Sequence, residues 1–333
     1  MADKIFVTGG CGVNGSWVVR DLVLRGHAVT VFDQVADYSL LGDLRADFEF
    51  VSGDIRDGTL VTRLVRERRP AAIAHMAALV SYPGGRIDPR LVMEVNAGGT
   101  ANVLEAALAG EVPRVVFTSS KAAYGVLPPP YAGPEYRPVP EHQVGQPYPA
   151  SFLSMYGHAK IASEGLGLNY HQAFGLEFVA LRFATICAPG KLARHGPLAL
   201  YSRLIENAMA GAPTRIAQGG EEHDDIVYVK DVAQGIVHAL AHREIASGIY
   251  NIGQQRGYTL HDMADAIRSV FPGAVLDIGP GLDFMGLGFS VYGVLDITRA
   301  RRDLGYAPQY DLKTMVEDYC AALGEFGIRP VAS

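Results

Sequence analysis

Cysteine is scarce in this chain: Cys11, Cys187 and Cys320 are the only three in 333 residues. Their wide separation excludes a disulfide-stapled scaffold and shows no metal-ligand pattern, so they read as reduced thiols of a cytosolic protein with no bound metal. Positive charge is also short. The net charge of −6 at pH 7 leaves no footprint for nucleic acid, and the one basic cluster, "RLVRERRP" at 63–70, reads as the solvated end of a helix. No apolar run approaches the roughly 20 residues of a membrane span. The opening "MADKIFVTGG" runs straight into a strand and a turn, which predicts a chain without a signal peptide. Charged residues make up 19% against 49% hydrophobic, which excludes long disorder and predicts a sizeable core in one large domain or two coupled ones. A soluble cytoplasmic protein with neither nucleic-acid nor membrane partners is the expectation.

What is present first is an alternation. Apolar runs at 4–8, 28–33, 48–54, 71–78 and 114–120 are separated by amphipathic stretches, among them helices over 57–68 and 88–109. Continuous Val/Ile/Phe/Ala strands between such helices predict an α/β fold, a doubly wound parallel sheet of Rossmann type covered on both faces. The proline-rich segment 126–150 breaks the rhythm and reads as a loop. A helix over 151–174 and a strand at 176–183 follow. Beyond them come a helix near 197–210, a strand at 224–229, a helix over 231–241, a strand at 248–253 and helices from Leu260 and Leu312. The expected division is a dinucleotide-binding domain over 1–183, with parts of 224–253, and a smaller interleaved C-terminal substrate lobe over 184–333.

The segment "VTGGCGVNG" at 7–15 follows the first strand and opens the first helix. Its glycines, Gly9, Gly12 and Gly15 with Gly10 beside them, permit a tight turn and a close backbone approach to a pyrophosphate seated on the helix N-terminus. The second strand ends at Asp33, about 20 residues on, where an acid accepts hydrogen bonds from an adenosine ribose. Asp33 would repel a 2′-phosphate and "QVADY" after it offers no arginine, so NAD is expected rather than NADP. A helix near 156 carries Tyr156 and Lys160, four positions apart and therefore on one face.

These features together resemble the extended short-chain dehydrogenase/reductase family, its NAD-dependent epimerase/dehydratase group. "TGGCGVNG" is similar to the family's glycine motif, "GDIRD" (53–57) to its adenine-flanking segment, and "HMAA" (75–78) to the loop along the cofactor. "NAGGT" (96–100), "SSKAAYG" (119–125), "YGHAK" (156–160), "YNIG" with "YTLHDMA", and "DITRARRDLGYAP" match further signatures over nearly the whole chain. The resemblance implies an NAD-dependent enzyme in which Ser120, Tyr156 and Lys160 are catalytic. Tyr156 is then the general acid/base, Lys160 lowers its pKa and holds the nicotinamide ribose, and Ser120 orients the substrate oxygen. Cofactor contacts are implied for Gly9, Gly12, Val13, Asn14, Gly15, Asp33, Asp54, Ile55, Ala77, Ala78, Asn96, Tyr156 and Lys160. Substrate contacts are implied for Ser81, Lys121, Tyr124 and Thr185. Family members pair through helices corresponding to 88–109 and 151–174, so a homodimer is expected.

One site chemistry serves several reactions, and departures from the family pattern discriminate among them. Lys121 and Ala122 stand where sugar dehydratases carry an Asp-Glu pair. "RFATICAPG" places Thr185 and Cys187 where nucleotide-sugar enzymes have asparagine and an aromatic, and "HDDIVYVKD" places Asp224 where they have a diphosphate-binding arginine. A carboxylate there would repel a diphosphate, and charge-assisted contacts are the strong ones in such sites. Lys191, Arg194, Arg203 and Arg215 remain as cations that could take the place of that arginine. Cys187 and His195 read as a buried thiol and a surface imidazole. Lys121 is a candidate for a substrate carboxylate or hydroxyl. The expectation is an oxidoreductase acting on a secondary hydroxyl of a small polyol, sugar, sugar acid or partly apolar alcohol. The alternatives are a nucleotide-sugar 4-epimerase of the UDP-glucose type that retains its NAD, and a non-catalytic NAD-binding protein.

Overall fold

The computed structural model describes residues 3–80, 88–143, 155–242 and 245–332. Its centre is built by two-residue alternation. In β1 (Lys4–Thr8), Ile5 and Val7 join one apolar cluster and Phe6 the other. β2 (Ala28–Asp33) repeats this with Val29 and Val31 opposite Phe32. β3 (Phe48–Ser52) is followed by β4 (Ala72–His75), in which Ala72 and Ala74 oppose Ile73. In β5 (Arg114–Ser120) and β6 (Glu177–Phe183), Val116 and Val179 face one way while Phe117 and Phe178 face the other. A sheet apolar on both faces must be covered on both faces.

α1 (Val13–Leu24) covers the first face with Val18, Val19 and Leu22. α2 (Gly58–Arg68) covers the second with Val61, Leu64 and Val65. The expected helix over 88–109 forms as α3 (Pro89–Met93) and α4 (Gly99–Ala109), joined without a break by one wider helical turn at Glu94–Gly98. In that turn the Asn96 amide accepts from Leu79 N–H at 2.7 Å and donates to its carbonyl at 2.9 Å, tying the turn to the loop after β4. α5 (Met155–Phe174) lies against the second face.

After β6 come β7 (Thr185–Cys187), α6 (Lys191–His195), α7 (Leu200–Met209), β8 (Thr214–Ile216) and β9 (Asp224–Tyr228). α8 (Val229–Ala241) returns to the first face beside α1 and leads into β10 (Gly248–Ile252). β11 (Gly257–Tyr258), α9 (Leu260–Val270), β12 (Leu276–Ile278), α10 (Thr298–Leu304) and α11 (Leu312–Glu325) complete the chain.

Among the described residues, seven strands form one all-parallel sheet in the order β10-β6-β5-β4-β1-β2-β3. The order reverses between β1 and β4. In such doubly wound sheets ligands bind at that reversal, beyond the carboxyl ends of the strands. β7 and β9, with β11, form a small separate sheet close to that end. The proline-rich segment folds back on the C-terminal part of the chain as far as residue 143: Leu127 N–H donates to Ser290 and Val139 N–H to Val294. Residues 144–150 of that loop lie outside the described residues. No helix among the described residues is long and apolar enough to cross a membrane.

Candidate active site

The glycine loop is made for close approach. Gly9 has a left-handed φ of +70°, and a Cβ there would lie 2.6 Å from Ala77 N. A Cβ on Gly15 would lie 2.1 Å from the Gly9 carbonyl oxygen. The loop delivers the chain into α1 with Gly12 at its N-cap, no side-chain cap and no acid in the first turn. Its free N–H groups and the positive end of the helix dipole therefore face outward. Asn14 Oδ1 is buried beside them with no hydrogen-bond partner among the described residues. Asp33, at the end of β2, accepts from Cys11 N–H at 3.0 Å and Val35 N–H at 3.3 Å. A receptive helix N-terminus, backbone no side chain obstructs, an unsatisfied amide oxygen and a carboxylate at the strand end fit a dinucleotide.

One cavity of about 270 Å³ runs from Gly9, Gly12, Val13, Asn14 and Gly15, past Ala78, to Ser120, Lys121, Tyr156, Lys160 and Thr185. β5 ends at Ser120, whose hydroxyl oxygen accepts from Ala122 N–H at 3.1 Å and is hydrogen-bonded to the Tyr156 phenol. The first turns of α5 bring in the other two side chains. Burial pushes Tyr156 up to about 12 against the lowering contact with Ser120. Lys160 Nζ donates to the Thr118 carbonyl at 2.5 Å and lies 5.3 Å from the centroid of the Tyr156 ring. Burial pushes Lys160 down to about 7, with the Glu164 charge opposing it. Desolvation dominates both groups as the site stands. Glu164 is itself clasped by Arg182 at 2.7 and 2.8 Å and accepts from Ser119 at 2.5 Å.

Five of the expected cofactor residues do not line this cavity: Asp33, Asp54, Ile55, Ala77 and Asn96. Asp54 is bound by the Arg56 guanidinium, which holds it below the usual carboxylate range, and Ile55 is buried in the second-face core. Ala77 lies under Gly9, and Asn96 is hydrogen-bonded to Leu79. Tyr124, expected at the substrate, is buried, with its hydroxyl donating to Asn251 at 2.8 Å and Arg182 over its ring. Ser81 lies outside the described residues.

The structure also adds residues. Lys191 and His195, from α6, line the cavity, so His195 is not a surface imidazole; burial first, then Lys191 and Arg194, push it down to about 4. Arg194 crosses to the glycine loop, donating to the Cys11 carbonyl at 3.0 Å and pairing with Asp37. Asp224 is fully buried, with Lys121 on one oxygen and the Tyr201 hydroxyl on the other at 3.2 Å. Its ion pair with Lys121 offsets the repulsion expected of it toward a diphosphate.

The NAD dependent epimerase/dehydratase family matches residues 5–253. A UDP-glucose 4-epimerase of Mycolicibacterium smegmatis is 32% identical over 316 residues, covering 93% of this chain and 95% of that protein. The solved UDP-glucose 4-epimerase of Thermus thermophilus in complex with NAD superposes with a TM-score of 0.75 at 29% identity, covering 96% of this chain and 99% of that one. The enzyme of Thermotoga maritima with UDP-glucose gives 0.79 at 26% identity over the same shares.

Proposed function

The chain belongs to the NAD dependent epimerase/dehydratase family, and from that premise we propose that it is a 4-epimerase acting on a nucleotide-linked sugar. The observation that carries this is a single cavity joining the glycine loop to Ser120, Tyr156 and Lys160, in a chain similar over nearly its full length to UDP-glucose 4-epimerases. That likeness favours the epimerase over the small-polyol oxidoreductase suggested by the substrate-segment residues.

NAD held along the glycine loop would supply the hydride acceptor and donor for the sugar carbon. The protein's residues handle the proton. Tyr156, hydrogen-bonded to Ser120, removes it from the secondary hydroxyl and later restores it to the same oxygen, inversion resulting from hydride return to the opposite face of the sugar carbon. As the site stands the phenol is protonated at neutral pH, poised as the acid. Its use as a base requires added positive charge beside it, and a protonated Lys160, 5.3 Å from the ring centroid, supplies some. Ser120 holds the reacting oxygen, and the apolar walls Phe183, Ala184 and Leu198 exclude water. We include in this proposal a division into dinucleotide and substrate lobes near residue 183 and a homodimer packed through α4 and α5.

A second reading, a dehydrogenase releasing an oxidised small product, is favoured by one observation: among the described residues no arginine lines the cavity. The deciding experiment incubates the purified protein and NAD⁺ with UDP-glucose and UDP-galactose, and separately with free sugars, polyols and sugar acids. Interconversion of the 4-epimers by NMR without net absorbance at 340 nm is the expected result. Stoichiometric NADH with a free substrate, and no epimer, would overturn it.

A further inference from the structure

The cavity's substrate end carries an unusual charge count. Lys121 follows Ser120 in the chain, with its side chain 18% exposed and its ammonium bonded to Asp224 and 4.9 Å from the centroid of the Tyr292 ring. Lys191 lines the same cavity, donates to the Ile186 carbonyl, and has no carboxylate partner among the described residues. Among the other titratable groups lining the cavity, Lys160 lies beside Tyr156 and adds positive charge there when protonated, and those facing the two lysines contribute none. His195 is held neutral, Cys187 is a buried thiol pushed up to about 12, and burial keeps Tyr201 and Tyr292 as phenols. Both oxygens of Asp224 are taken by Lys121 and Tyr201.

Two ammonium groups against one carboxylate leave one positive charge. Each ammonium has three N–H donors, and one on each is used by the contacts described, so donors remain toward the cavity. The walls beside them are Phe183, Ile186 and Leu198, and in such surroundings a charge-assisted hydrogen bond is strengthened.

We propose that Lys121 and Lys191 form a subsite for a carboxylate carried by the substrate, so that the sugar oxidised at Tyr156 is a uronic-type acid. One net positive charge from this pair suits a monoanion such as a carboxylate. Burial pushes Lys191 down to about 8, so a bound anion restores its full protonation. The assignment rests on Tyr156 and Ser120 marking the reacting carbon. The carboxylate has two sources of the same chemistry, a free hexuronate or a hexuronate linked to a nucleoside diphosphate.

The test uses the holoenzyme with four probes: glucuronate, glucose, UDP-glucuronate and UDP-glucose. Initial rates, 4-epimer formation by NMR and calorimetric binding are measured for each. The expected result is a KM for the acid at least about 10-fold below that of its neutral counterpart, the effect of one charge-assisted contact. Lys191→Met raises the KM for the acid about 10-fold and leaves the neutral sugar unchanged. Lys121→Met alone strands the buried Asp224, so the paired variant Lys121→Gln with Asp224→Asn is used, with the same loss expected. Preference for the free or the linked acid identifies the source. Equal handling of acid and neutral sugar, or a Lys191→Met effect common to both, would overturn the subsite. NADH accumulation from the acid without its 4-epimer would leave the subsite standing and remove the epimerase assignment instead.

Discussion

Gly15→Ala is the sharpest perturbation of the dinucleotide loop. The added methyl would lie 2.1 Å from the Gly9 oxygen and 2.8 Å from Gly10 Cα. Carbon and oxygen do not approach within 3 Å without a bond, so the loop must move by about 1 Å. It has little room: Gly9 is wedged against Ala77 N, its N–H donates to Phe32 at 2.8 Å, and its carbonyl accepts from Gly12 N–H at 3.1 Å. The way left open is toward the cavity that Gly9, Gly12 and Asn14 line. Overpacking of this kind costs about 1–3 kcal/mol, offset by about 0.5–1 kcal/mol from replacing a helical glycine. Displacing the N–H groups from an anion loses one or two charge-assisted hydrogen bonds, about 1.5–3 kcal/mol each, or at least about 10-fold in affinity. NADH binding by fluorescence titration and thermal unfolding measure the two effects separately. Affinity within about twofold of the parent, with an unchanged melting temperature, would refute the loop geometry as the reason for the glycine.

Two further predictions concern the proposed acid/base pair. Tyr156→Phe removes the phenolic proton and leaves the ring, so kcat falls by about 100-fold or more while calorimetric NAD⁺ binding is retained; a smaller loss in single-turnover kinetics would assign the proton to another group. Lys160 is held at about 7, well below the 10.5 of a free lysine, so the folded protein binds fewer protons than the unfolded chain across that interval. Its charging penalty is present in full below pH 7 and is relieved as pH rises toward 10.5. The melting temperature of the parent minus that of Lys160→Met should therefore climb between pH 7 and 9, and a flat difference would place Lys160 in a solvated environment.

The sheet was legible because it rests on short-range rules. Alternation in "KIFVT" and "RVVFTSS" says which residues take opposite faces, and the position of "VTGGCGVNG" between a strand and a helix says what the glycines are for. Tyr156 and Lys160 were legible because four residues of helix put them together whatever the surroundings. Two local expectations were modified for reasons outside their own windows. The helix over 88–109 forms but widens at Glu94–Gly98, where the Asn96 side chain binds Leu79. Tyr124, four positions from Ser120, turns into the core because Asn251 and Arg182 meet it there.

Local order of residue types thus determined the fold class, the dinucleotide loop and the Tyr156–Lys160 pair. Tertiary structure alone decided the charge of the substrate end. Asp224 is 103 positions from Lys121, and Arg194 is 183 from the Cys11 carbonyl it binds. Whether a carboxylate repels a ligand or neutralises a lysine depends on what lies a few ångströms away and on how little water is left between them. Chain separation carries neither quantity; packing sets both.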